Sequence, residues 1–189
     1  MIVNFVCLYL DDLIKIYEMD KIKCQNNYLQ NYDNKKRKFN GYSLYWCQSG
    51  DKIDLYQYCQ HILKLTSHHE INLIYALILI NRFLKKTYWD LNNNNIFRLI
   101  LIGNLISSKI LDDDFYNNIT WSLFGKIDIF YLNKLELEFF FCLDGALNIS
   151  CSELIETYKH IIGYLKYHNF IEDKKQIPLP ISLNSSFNN

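Results

Sequence analysis

Proline and glycine are scarce, with two and six in 189 residues. Turn-rich β folds need many of both, so the shortage favours long, uninterrupted helices. An excess of charge of either sign is also missing. Twenty basic and twenty acidic residues cancel to a formal net charge of zero, whereas a nucleic-acid binder carries a basic surplus. No nucleic-acid partner is expected. The longest apolar run, Leu73 to Ile80, is far below the roughly 20 residues needed to span a bilayer, so no membrane partner is expected either. The opening stretch MIVNFVCLYLDD has no cation before its apolar segment and no small-residue cleavage site, so it does not read as a signal peptide.

Cys7, Cys24, Cys47, Cys59, Cys142 and Cys151 are irregularly spaced and form no CxxC pair. An even count permits three disulfides, but half the residues are hydrophobic, and such a chain buries a core without covalent staples. Reduced thiols acting as small hydrophobes are expected, in a protein kept inside the cell, in nucleus or cytoplasm. GxGxxG, P-loop, HExxH and GxSxG motifs are absent. The sequence therefore reads as a non-enzyme with no cofactor.

What is present is helical periodicity. Residues 2–19 predict an amphipathic helix, followed from Lys21 to Asp51 by a broken, asparagine-rich stretch that reads as a long loop. The core begins near Ile53, where Tyr58, Ile62 and Leu65 share one helical face. Ser67 and Glu70 fit a capping box. The helix that follows, INLIYALILINRFLKK, is apolar nearly all round, as expected of a buried central helix, and ends in cations that suit the negative end of its dipole. A third core helix spans Ile96 to Leu111, where Gly103 and Ser107 allow close approach of a neighbour. Asp112 to Asp114 end it, and Asp114 is expected to cap a short helix over Tyr116 to Phe124, closed by Gly125. Asp128 caps a fifth from Ile129 to Leu143, and a Ser150–Glu153 capping box opens a last helix ending at Tyr167.

The result is an all-α protein: five core helices with one more at each end. The expected division is an amino-terminal helix and loop (1–52), the core (53–147), a carboxyl-terminal helix packed on it (148–172) and an extended or disordered tail (173–189).

Three polar clusters have plain readings. Asp112-Asp113-Asp114 lacks the alternating ligands, glycine and terminal acid of a calcium loop and reads as a solvated turn. His68 and His69 would point about 100° apart on a helix and cannot share a metal. Lys35-Lys36-Arg37-Lys38 is a solvated loop, a nuclear-import signal or a phosphate contact. Lys109, in the last turn of its helix, is at least a dipole-compensating cation.

The order of the segments says more. Ile96-Phe97-Arg98-Leu99 is followed by Ser107-Ser108-Lys109-Ile110-Leu111-Asp112-Asp113, Tyr116-Asn117-Asn118, Gly125-Lys126-Ile127 and Leu132-Asn133-Lys134-Leu135-Glu136-Leu137-Glu138-Phe139-Phe140. This series resembles the cyclin box of P-type (U-type) cyclins, the phosphate-signalling group, over residues 53–147. The resemblance implies a five-helix cyclin box packed around its third helix, and a regulatory subunit of a cyclin-dependent protein kinase. It further implies that the third and fifth box helices face the kinase's αC helix. Lys109 and Glu136 match the family's pair that hydrogen-bonds kinase backbone, and Ile106, Ile110, Phe140 and Leu147 match its apolar contact. A cyclin-fold adaptor without kinase activation is the alternative. Departures from the family pattern are Phe97 in place of histidine, Gly145 in place of an aromatic residue, and a first helix without the substrate-docking sequence of A- and E-type cyclins.

Overall fold

The computed structural model describes residues 2–24, 54–66, 70–168 and 170. Among them are seven α-helices and no strand. The expected loop from Lys21 is helical to Cys24, and its remainder with Lys35–Lys38, the Ser67 cap with its two histidines, and the tail lie outside the described residues.

The first helix, α1 (Ile2–Cys24), runs five residues beyond the expected end; no glycine or proline interrupts it. It buries Val3, Val6, Cys7, Leu10 and Ile14, a stripe at helical spacing. The stripe packs on α2 (Leu55–Thr66), on the central helix α3 (Glu70–Thr87) and on the final helix α7 (Cys151–Tyr167). Helix α3 is buried continuously from Asn72 to Ile80, as its all-round apolar sequence requires.

Helix α4 (Ile96–Leu111) pairs most extensively with α3. A Cβ on Gly103 would stand 3.1 Å from Ala76 Cβ and 3.3 Å from its carbonyl oxygen, so two small residues set the close approach of the two helices. Ser107 and Ser108 are fully buried, and each hydroxyl donates to the carbonyl three residues back, which satisfies it without a partner on another helix. Before α4, Asn92 and Asn95 use their side chains to close the turn on Asp90 and on each other, so Asn95 makes no side-chain cap.

The starts of two further helices, α5 (Asn118–Phe124) and α7, differ from the sequence expectation, while Gly125 closes α5 as expected. Helix α5 is capped by Asn117, whose Oδ1 accepts from the Thr120 backbone and hydroxyl, and not by Asp114. Asparagine there offers the same oxygen one turn later, so the helix starts two residues late. Gly125 ends α5 with an ordinary φ of −81°; the left-handed residue is Lys126, whose N–H bonds Leu123 while that of Ile127 bonds Ser122. Glycine at 125 is demanded by packing, since a Cβ would land on Leu101. At α7, Ser150 accepts from Glu153 N–H at 3.2 Å, but the Glu153 carboxylate completes no box. It turns instead to Arg82 on α3, at 2.7 and 2.9 Å.

That arginine also donates to the carbonyls of Ala146 and Asn148, and Tyr75 OH donates to that of Leu147. The segment between α6 (Ile129–Cys142) and α7 is thereby tied to α3. Asp128 caps α6 by accepting from Phe130 N–H at 2.8 Å. Phe83 and Phe139 stack with centroids 4.7 Å apart and hold α6 against α3. Helix α7 is fastened to α1 by Tyr164 OH, which donates to Asp12 at 2.6 Å.

Candidate partner-binding site

Helix α4 emerges from the core toward its carboxyl end. Ile102 is wholly enclosed and Ile106 is 4% exposed, while Ile110, one turn further, is 38% exposed. Lys109 stands at this point of emergence. The end of α4 is fixed by Asp112, whose N–H bonds Ser108 and whose carboxylate accepts from buried Asn72 of α3. The first aspartate of the acidic triplet is therefore a structural tie. No group of three or more His, Cys, Asp or Glu placed to hold a metal ion occurs among the described residues.

Helix α6 brings Glu136 to Lys109. The ammonium lies 2.5 Å from Glu136 Oε1 and 2.7 Å from Asn118 Oδ1 at the start of α5. The Asn118 amide nitrogen in turn donates to Glu136 Oε2 at 2.6 Å and to Asn133 Oδ1 at 2.7 Å. Three helices thus meet in one polar cluster. The Lys109 and Glu136 side chains are 29% and 21% exposed, open enough for a partner to reach yet partly withdrawn from water, where charges interact more strongly.

Around the cluster α6 displays apolar surface. Its buried face is Leu132, Leu135 and Phe139. Asn133, Glu136 and Phe140 form the adjoining stripe, and Phe130, Leu137 and Phe141 the next, at the i, i+7, i+11 spacing of one face. Phe140 is 41% exposed, and Leu137 and Phe141 more so. The Lys134 ammonium covers the Phe130 ring at 4.2 Å. A cluster of large exposed apolar side chains rimmed by charge is the usual mark of a protein-binding surface.

Of the six residues singled out from the sequence, Lys109, Glu136, Ile110 and Phe140 thus offer surface. Ile106 does not: at 4% exposure it supports the patch from beneath, because α4 is still enclosed at that turn. Leu147 is partly buried against the core on the Tyr75 and Arg82 ties. Asn118 and Asn133 were missed as members, although the Tyr-Asn-Asn segment was visible as a motif.

Cys7 and Cys142 are not activated nucleophiles. Cys7 on α1 hydrogen-bonds with Cys59 on α2, which pushes its thiol up, and burial adds to the rise. Burial pushes Cys142 up to about 11. Both stay protonated at neutral pH, which suits thiols packed as small hydrophobes. None of the described cysteines Cys7, Cys59, Cys142 and Cys151 is in a disulfide. No described helix is long and apolar enough to cross a membrane.

The family model described as Cyclin matches residues 4–147, from α1 to the α6–α7 link. The chain belongs to the cyclin family. Among curated proteins it is 29% identical to Cyclin-U1-1 of Arabidopsis thaliana over 170 residues, covering 87% of this chain and 79% of that protein. It is 33% identical to Cyclin-U4-2 of the same plant over 101 residues, 53% of this chain and 47% of the relative. A shorter match, 44% identity over 64 residues, is to PHO85 cyclin-6 of Saccharomyces cerevisiae, covering 34% of this chain and 15% of that protein. These matches mark a cyclin of the U/P type, and the chain spans about half the length of the first curated relatives it matches.

Proposed function

We propose that this cyclin binds a cyclin-dependent protein kinase and activates it by holding the kinase's αC helix in its active position. The observation that carries the reading is the Lys109–Glu136 pair at the rim of the exposed apolar face of α6 and the end of α4. A kinase is competent only when the αC glutamate pairs with a strand lysine, and αC placement governs that pair. A surface that binds the αC-in state more tightly than αC-out shifts the population inward, by no more than its difference in affinity. The apolar side chains Ile110, Leu137, Phe140 and Phe141 supply contact area at the centre. Lys109 and Glu136 supply register, because a misaligned partner would leave a partly desolvated charge without a match. The cyclin itself does no chemistry.

On this reading residues 53–147 are the binding unit and α7, within the 148–172 segment, is its brace. Gly145 offers no aromatic side chain to the partner, so contact at that edge is thinner than in cyclins with an aromatic residue there. The site of action is the nucleus or the cytoplasm.

The test is co-purification with a kinase catalytic subunit, with phosphorylation of a generic protein substrate measured with and without the chain. PHO85, after which one relative is named, is a concrete first kinase. Wild-type chain should bind and stimulate, and a Lys109→Ala, Glu136→Ala variant should do neither well. Normal binding and activation by that double variant would sink the proposed interface.

A further inference from the structure

We propose that Asn118 is the positioning residue of the Lys109–Glu136 pair, fixing both charges in the geometry a kinase backbone segment requires. The inference deepens the kinase-binding reading and rests on it.

A carboxamide has two N–H donors and one carbonyl acceptor. All three groups of Asn118 are engaged: Oδ1 with the Lys109 ammonium, and the two amide protons with Glu136 Oε2 and Asn133 Oδ1. Only this orientation of the amide is compatible with the charges. Turned over, it would set an NH2 group against the ammonium and a carbonyl against the carboxylate. Asn118 therefore reads the sign of both partners at once.

The consequence lies in what remains unused. Lys109 has three donors, of which Asn118 and Glu136 take one each. Glu136 has about four lone-pair sites, and Lys109 and Asn118 occupy one on each oxygen. One donor and about two acceptor sites are left, the complement of a peptide carbonyl and N–H. Held on two sides, neither long side chain has to be ordered when the partner arrives, which removes part of the cost of binding.

The neighbouring asparagine does a separate task. Asn117 caps α5 through Thr120, whereas Asn118 reaches across to α4 and α6. A change at 118 thus leaves the cap in place, and a change at 117 leaves the clasp in place.

The experiment measures equilibrium binding to purified PHO85, and to the kinase that co-purifies with the wild-type chain. The variants are N118A, N118D, N117A, the K109A/E136A double variant, and that double variant carrying N118A. Helical circular dichroism confirms that each is folded. N118A should weaken binding about tenfold, as for residues that share one network, and add nothing in the double-variant background. N118D keeps the shape and the Lys109 contact but loses both donors and adds a carboxylate beside Glu136, so it should bind no better than N118A. Equal losses from N118A in both backgrounds, wild-type binding by N118D, or a loss from N117A as large as that from N118A would each overturn the assignment. Failure of the wild-type chain to bind either kinase, or a double variant that binds normally, overturns the functional reading itself and the Asn118 role with it.

Discussion

One chemical change, glycine to alanine, is expected to have opposite effects at two sites of this fold. At Gly163, on the exposed side of α7, an added Cβ meets nothing within 4 Å. Alanine there restricts the unfolded chain and improves helix propensity, so stability should rise by about 0.5–1 kcal/mol. At Gly125 the backbone is equally permissive, with φ −81° and ψ −4°, and the same unfolded-state benefit of about 0.4–1 kcal/mol applies. The difference is Leu101. The new Cβ would fall on its Cδ2, with Cδ1 at 3.0 Å and Cγ at 3.2 Å. Leu101 is 1% exposed, in a helix with eleven buried residues, so it has little free space to retreat into. Overpacking of this kind costs about 1–3 kcal/mol. The net effect of G125A is then a loss of roughly 1–2 kcal/mol, a melting point lower by about 2–8 °C.

A third glycine isolates backbone strain from packing. Gly145 has φ +68°, and a Cβ there would meet Phe140 only at an ordinary 3.4 Å. Alanine should cost about 1 kcal/mol through the left-handed conformation alone. Urea unfolding followed by circular dichroism, with an unchanged m-value, measures all three. Stability of G125A at or above wild type would show that Leu101 repacks freely and would refute the argument.

Arg82→Ala removes bonds to two carbonyls and to Glu153, and should cost about 2 kcal/mol, discounted for partial exposure. Amide exchange should accelerate at Leu147, whose segment loses its tie to α3. Asn117→Ala removes the cap of α5, and unfolding titrations should show a loss of about 1 kcal/mol. Tyr164, pushed up to about 12 by burial and then by its bond to Asp12, sets an alkaline limb. Its folded pKa exceeds the ordinary value of 10.0. The stability it contributes is therefore complete below pH 10 and fades as pH climbs toward 12. Tyr164→Phe has no such proton, so the wild-type chain should lose stability relative to it across that window in melts at stepped pH.

Much of the fold is legible because helical spacing reports burial directly. The all-round apolar sequence of α3 and the small residues of α4 announce their places without any tertiary information. Helix ends are harder, because several residues within one turn offer an equivalent capping oxygen. Asp114 and Asn117 both qualify by type, and only the path of the chain chooses Asn117. Spacing also cannot say how deep a helix sits. Ile102, Ile106, Lys109 and Ile110 share a face, yet the core covers half of it, so Ile106 is hidden and Ile110 is not. Lys109 and Glu136 were paired through the order of motifs, since their separation of 27 positions carries no local signal. Asn118 lies in the Tyr-Asn-Asn motif, but nothing in the motif assigns it a partner. Its role is a contact among three helices, and an asparagine near a helix start reads first as a cap.

The polar cluster is positioned by the core behind it. Gly103 against Ala76 sets how closely α4 lies on α3, and the Phe83–Phe139 stack sets how α6 lies on the same helix. The separation of Lys109 and Glu136 therefore depends on α3, on which both helices pack, as well as on the direct contact of α4 with α6. On the proposed kinase-binding reading, a surface held in place is what the regulator needs. A surface that conforms to its partner binds αC-in and αC-out with similar affinity and shifts nothing, however tightly it binds. A surface that cannot conform charges the wrong state with unmatched groups. On that proposed reading, small residues and aromatic rings buried in the core determine activation as much as the exposed side chains of α4 and α6.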